Sequence, residues 1–167
     1  MARTYAGIGS RETPQDVLAM MVKIGRCLAE REWTLRSGAA DGADAAFERG
    51  AVAAGGSTEI WLPWRGFQYH RSTLLPSLAA FEMAAQFHPA WERCSRGARA
   101  LHARNCHQVL GADLDAPVNM VVCWTRGGQR GGGTGQALRI AEARNIPIFD
   151  LAVEGSGQAL RAFVDQA

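Results

Sequence analysis

The sequence predicts an α/β protein, a parallel sheet of about five strands with helices on both faces. Two observations lead there. Short β-branched or apolar runs alternate with longer segments whose apolar residues recur at helical spacing. Each strand candidate also ends in glycine or small polar residues just before a helix candidate, as strands in open parallel sheets do. At 167 residues the chain is expected to be one domain spanning 1–167.

Thr4–Ile8 reads as the first strand, ending in Gly9-Ser10-Arg11-Glu12-Thr13-Pro14. Thr13 is expected to cap a helix with Pro14 at its first position. That helix runs to about Arg31, with Val17, Met20, Met21, Ile24 and Leu28 on its inner face. Trp33–Arg36 is the second strand, leading into Ser37-Gly38-Ala39-Ala40-Asp41-Gly42-Ala43-Asp44 and a small-faced helix from Ala43 to Ala54. Thr58–Leu62 is the third strand, stopped by Pro63.

From Trp64 to about Pro89 the period loosens, and the stretch reads as a functional loop. Trp64, Phe67 and Tyr69 either stack on a base or form a small core beneath the loop, with Trp64 assigned to the ligand. A helix is expected from His88-Pro89-Ala90-Trp91 to about Leu110, with a partly basic face through Arg93, Arg96 and Arg104. Val118–Trp124 is a buried strand. After it come Thr125, the glycine turn Gly131-Gly132-Gly133-Thr134, and a helix from Gln136 to Arg144. Ile146–Leu151 is the last strand, with Pro147 suited to an edge position. Ser156–Ala167 forms a closing helix.

Composition bounds the function. Hydrophobic content of 47% and charged content of 20% fit a soluble globular chain, and no apolar run is long enough to span a membrane. No signal peptide precedes the first strand, so a cytoplasmic protein is expected. A net charge of +2 is too small to mark a nucleic-acid binder by bulk electrostatics. Cys27, Cys94, Cys106 and Cys123 lack metal-ligand spacing and read as reduced residues in or near the core. Neither a metal nor a cofactor is expected.

With strand order 3-2-1-4-5, the first and fourth strands are neighbours and the strand order reverses between them. Gly9-Ser10-Arg11 then faces Gly131–Thr134 across one crevice, flanked by Ser37–Asp44 and Pro63-Trp64. A strand, a glycine turn and a helix start present free N–H groups and a positive dipole end to an anion. Any one glycine run also suits a plain surface turn. Four loops converging on one place select the phosphate reading.

Ala6-Gly7-Ile8-Gly9-Ser10-Arg11 and Ser37-Gly38-Ala39-Ala40-Asp41-Gly42-Ala43-Asp44 resemble the Gly-Ser-Arg and Ser-Gly-x-Ala-x-Gly-Ile-Asp signatures of DNA-processing protein A (Smf). Leu101-His102-Ala103-Arg104-Asn105 resembles that family's Arg-Asn segment and the Met-His-x-Arg-Lys segment of the Lonely Guy phosphoribohydrolases. The glycine turn resembles the latter's Pro-Gly-Gly-x-Gly-Thr-x-x-Glu loop. The resemblance, from about Tyr5 to Leu151, implies a Rossmann-like nucleotide binder of the Smf/Lonely Guy (SLOG) superfamily, in a small stand-alone form of the kind found in phages.

It implies a site of Gly9, Ser10, Arg11, Ser37, Gly38, Asp41, Gly42, Pro63, Trp64, Asn105, Thr125, Gly131, Gly132, Gly133 and Thr134, with Arg104 and Asp44 as candidate catalytic groups. The partner is a nucleotide or a nucleotide-derived small molecule, or single-stranded DNA as in DNA-processing protein A. A homodimer and N-glycosidic cleavage of a nucleoside monophosphate are also implied. Where the Lonely Guy pattern has a glutamate, this chain has Ala137, with Gln136 before it. Within 1–167 no counterpart of the carboxyl-terminal winged helix of DNA-processing protein A is expected.

Overall fold

A computed structural model describes residues 3–167. The strands are β1 (Thr4–Gly7), β2 (Thr34–Ser37), β3 (Thr58–Ile60), β4 (Met120–Cys123) and β5 (Ile148–Asp150). The helices are α1 (Gln15–Glu30), α2 (Ala43–Ala53), α3 (Leu78–Phe87), α4 (Arg96–Leu110), α5 (Gly132–Ala143) and α6 (Ser156–Gln166). All strand pairs are parallel, and the order is β3-β2-β1-β4-β5. This is the Rossmann-like arrangement expected from the sequence.

Side chains alternate across the sheet, so neighbouring residues enter different cores. Tyr5, Leu35, Met120 and Val122 pack with Met21 and Leu28 of α1, Phe47 of α2 and Leu160 of α6. Ala6, Val121 and Cys123 face the other way, onto Ala80 of α3, Val109 of α4 and Leu138 of α5. The chain builds β1 to β3 outward, then crosses to the other face and adds β4 beside β1. That reversal leaves the carboxyl ends of β1 and β4 diverging over a gap.

Local differences from the sequence reading have physical causes. Helix α1 starts one residue late: Pro14 is its N-cap, and Thr13 Oγ1 donates to Ser10 O at 2.5 Å. The loose stretch holds α3, capped by Ser77 Oγ, which accepts from Ala80 N at 3.2 Å. The helix expected from His88 begins at Arg96, because residues 91–93 form one short 3₁₀ turn and Ser95 makes a fresh cap by accepting from Ala98 N at 3.2 Å. Helix α5 begins at Gly132, before Gln136, so the glycine turn supplies its first turn. Pro147 precedes edge strand β5 and accepts from Val121 N through its carbonyl at 2.9 Å.

Among the cysteines, Cys106 and Cys123 are buried, Cys94 is half-buried in the connection before α4, and Cys27 is exposed on α1. Cys27 corrects the core expectation; its side of α1 carries Lys23 and Arg26, both exposed. No helix among the described residues is long and apolar enough to cross a membrane.

Candidate functional site

The gap at the β1/β4 switch is a crevice of about 580 Å³, within the range of small-molecule sites. One wall is the turn after β1. Ser10 N donates to Trp124 O at 3.3 Å, tying that turn to the end of β4, while Ser10 Oγ accepts from Glu12 N at 3.1 Å. Gly9 is needed for packing, since a Cβ there would lie 2.7 Å from Ala43 Cβ. The opposite wall is the start of α5. Gly132 has φ +60°, a conformation glycine adopts without strain, and a Cβ on Gly131 or Gly132 would meet nothing within 4 Å. These two glycines leave the backbone open to the crevice.

Helix α4 forms the floor. It presents Leu101, Arg104, Asn105 and Gln108 to the crevice, spacing that places them on one face. Asn105 Nδ2 donates to Gly133 O at 3.0 Å, so the floor holds the glycine turn. Arg104 is 5% exposed; its Nη1 donates to Gly38 O and lies 3.6 Å from Asp44 Oδ2, itself 4% exposed. Asp44 Oδ2 also accepts from Ala40 N at 3.4 Å.

Burial raises the Asp44 carboxyl to about 6, although Arg104, the Ala40 and Gly38 backbone and the Gln108 amide all favour its charged form. Burial pushes Arg104 below its ordinary value and Arg11 adds to that, while Asp44 opposes it. Arg104 Nε and Gln108 Nε2 are buried and have no hydrogen-bond partner among the described residues.

The crevice gathers most of the residues singled out in the sequence. Gly9, Ser10 and Arg11 stand on one side, and Thr125 with Gly131 through Thr134 on the other, above Asp44, Arg104 and Asn105. Thr125 is held in place by Asp150, which accepts from its N–H at 3.1 Å and from its hydroxyl.

Six residues of the expected site lie outside the lining. Ser37 is fully buried and donates to Gly7 O at 2.6 Å, closing the β1–β2 strand ends. Gly38 sits behind the floor, where a Cβ would run into the Arg104 guanidinium and the Gln108 amide. Asp41 is exposed and accepts from Gln68 Nε2 at 3.2 Å. Gly42 is the N-cap of α2 with φ +91°, pressed against the Ser10–Arg11 backbone. Pro63 is buried. Trp64 is 46% exposed, edge-on to Phe67, because the chain turns away from the crevice after β3.

Sequence reasoning missed Gln108, Arg126 and Gln129 as lining residues. Gln108 lies one helical turn beyond Arg104, a signal that was readable. Arg126 and Gln129 sit on an irregular turn with no periodic signature; there Arg126 Nη1 lies 3.2 Å from Glu12 Oε2 across the mouth, both exposed.

Residues 1–65 match the model of DNA recombination-mediator protein A. That match covers the stretch from β1 through β3, which carries the Gly9-Ser10-Arg11 and Ser37–Asp44 segments. The chain is also similar in fold to the Moco carrier protein of Chlamydomonas rheinhardtii, at 18% identity and a TM-score of 0.56, over 99% of this chain and 86% of that one. A second similar structure is DNA processing protein A from Helicobacter pylori, solved for its single-stranded DNA binding mode. There the identity is 14% and the TM-score 0.52, over 98% of this chain and 74% of that one. No curated protein matches the sequence.

Proposed function

We propose that the β1/β4 crevice binds a nucleotide or nucleotide-derived small molecule by its phosphate. The observation that carries this reading is the open glycine turn that starts α5, facing Ser10 and Arg11 across a floor that holds the buried Arg104. The α5 N–H groups and dipole favour an anion, and Arg104 adds a charge-assisted contact. Ser10 and Thr134 contribute hydroxyls, and Arg11 stands at the rim. The base or other moiety then lies toward Arg126 and Gln129.

Titration calorimetry against nucleoside monophosphates, inorganic phosphate and a single-stranded oligonucleotide tests this. A mononucleotide held by one phosphate gives a salt slope shallower than about −1, whereas a strand held by several phosphates gives a proportionally steeper one. No heat with any nucleotide overturns the reading.

Asp44 favours a second reading, cleavage of the N-glycosidic bond of a nucleoside monophosphate. Its carboxyl, raised to about 6 and lining the crevice beside Arg104, is suited to holding a proton for a leaving base. Ala137 also lines the crevice and brings no acid to the place of the Lonely Guy glutamate. Release of free base by the native protein and not by Asp44→Asn supports it; release unchanged in Asp44→Asn removes Asp44 from the chemistry.

The loop after β3 favours single-stranded DNA as an alternative partner. Trp64 and Tyr69 are exposed beside Arg65 and Arg71, an aromatic and basic surface of the kind on which bases stack. Homodimer formation also belongs to this proposal. Met20 on α1 and Val52 on α2 are large apolar residues left exposed, and sedimentation of the native chain against Val52→Glu tests their pairing.

A further inference from the structure

We infer that His88, Cys94 and His102 form a binding site for a zinc-class divalent cation, separate from the crevice. One ligand atom from each lies within 4.8 Å of the others. The Cys94 sulfur is 3.7 Å from both nitrogens of His88. Bond lengths of about 2.3 Å for Zn–S and 2.0–2.1 Å for Zn–N place sulfur and nitrogen roughly 3.6 Å apart around a tetrahedral ion. The separation fits in length, and a turn of the His88 ring would aim one nitrogen at the ion, since the sulfur now faces both nitrogens equally. The two imidazole centroids are 4.4 Å apart, and the Trp91 ring lies 6.3 Å from one and 6.5 Å from the other as an apolar wall.

A second observation points to a ligand. His102 is 8% exposed, and its Nδ1 has no hydrogen-bond partner among the described residues. Two imidazoles and one thiol suit zinc better than magnesium or calcium, which select oxygen. Three protein ligands leave a fourth position for water. At present His88 Nδ1 accepts from Ala90 N at 3.1 Å, so coordination through that atom exchanges a hydrogen bond for a metal bond. The Cys94 thiol gives up its proton on binding, so uptake releases acid.

The three residues come from different places: His88 ends α3, Cys94 follows the 3₁₀ turn, and His102 lies in the second turn of α4. The cation would fasten the α3–α4 connection onto the helix that makes the crevice floor. The spacing His88-x₅-Cys94-x₇-His102 has no paired cysteines, which is why the sequence offered no metal signature.

The test is cobalt(II) and zinc(II) titration of the full chain, beside Cys94→Ser and His88→Gln. The expected result is one cobalt per chain, taken up with proton release and giving a sulfur-to-cobalt charge-transfer band that zinc then removes by displacement. Cys94→Ser loses the band and binds at least about 100-fold more weakly, beyond the cost of losing a group that only supports a ligand. Zinc raises the melting temperature of the native chain but not that of Cys94→Ser, and circular dichroism confirms that both variants fold. Cobalt uptake without the band, equal uptake by Cys94→Ser, or no stoichiometric uptake each overturns the site.

Discussion

Gly38→Ala is the substitution that most directly tests how the crevice floor is held. The new methyl would fall inside the Arg104 guanidinium and against the Gln108 amide, so the arginine must retract to ordinary contact distance. It then loses its bond to Gly38 O and its pairing with Asp44. A hydrogen bond from a charged group contributes about 1.5–3 kcal/mol, and breaking a buried ion pair costs about 3–5 kcal/mol. These figures overlap, because Asp44 escapes part of the cost by protonating. A net loss on the order of 3 kcal/mol is expected in urea unfolding.

If Arg104 also grips the bound phosphate, nucleotide affinity falls by about 100-fold or more, since ~1.4 kcal/mol is a factor of ten. The assay is calorimetric titration at a temperature where the variant remains folded. Combining Gly38→Ala with Arg104→Gln isolates the mechanism, because the second change should add little once the guanidinium is displaced. Unchanged affinity together with a stability loss under about 0.5 kcal/mol, the usual range of a neutral surface change, would refute the account of the floor.

Three further outcomes are expected. Gly50→Ala should destabilise by at least about 1–3 kcal/mol in urea unfolding, the usual cost of overpacking, because its Cβ would meet the Val22 carbonyl where α2 crosses α1. The Asp44 carboxyl is raised in the folded state, so its contribution is fully present below its unfolded value near 4 and is lost as pH climbs through about 6. Chemical unfolding across that window should show stability falling, and Asp44→Asn should flatten it. Asp150→Asn should cost about 1–3 kcal/mol in thermal unfolding, because the carboxylate accepts from Thr125 and from Ala152 N at 3.0 Å and holds the β4 loop to β5.

The sheet order and the position of the crevice were legible because they depend on long-range regularities. Alternating strands and helices limit the topologies, and the switch point then follows from the strand order. Arg104, Asp44 and the glycine turn could be placed by motif and by strand-end position. Trp64 and Asp41 could not, because the direction a loop takes after a strand end is set by its contacts rather than its composition.

Helix α3 was hidden for a different reason. Leu78 is exposed while Ala80 and Ala84 are buried, so apolar residues cover both faces and no amphipathic period stands out. Its readable signal was Ser77, a capping residue followed by strong helix formers. The break before α4 was equally local: Ser95 recapping the chain outweighed the helical spacing that ran back to His88.

From His102 to Leu110, α4 is buried on every side, wedged between the sheet and its neighbouring helices. A rod enclosed in this way cannot slide to suit different guests without opening the packing around it. Arg126, Gln129 and Gly131 to Gly133, by contrast, stand in solvent around the mouth. For the proposed nucleotide, selectivity would divide by depth: the enclosed base would fix where the phosphate rests, and the exposed margin would meet the rest of the molecule. A different ligand preference could then arise by rewriting that margin alone, leaving the buried scaffold untouched.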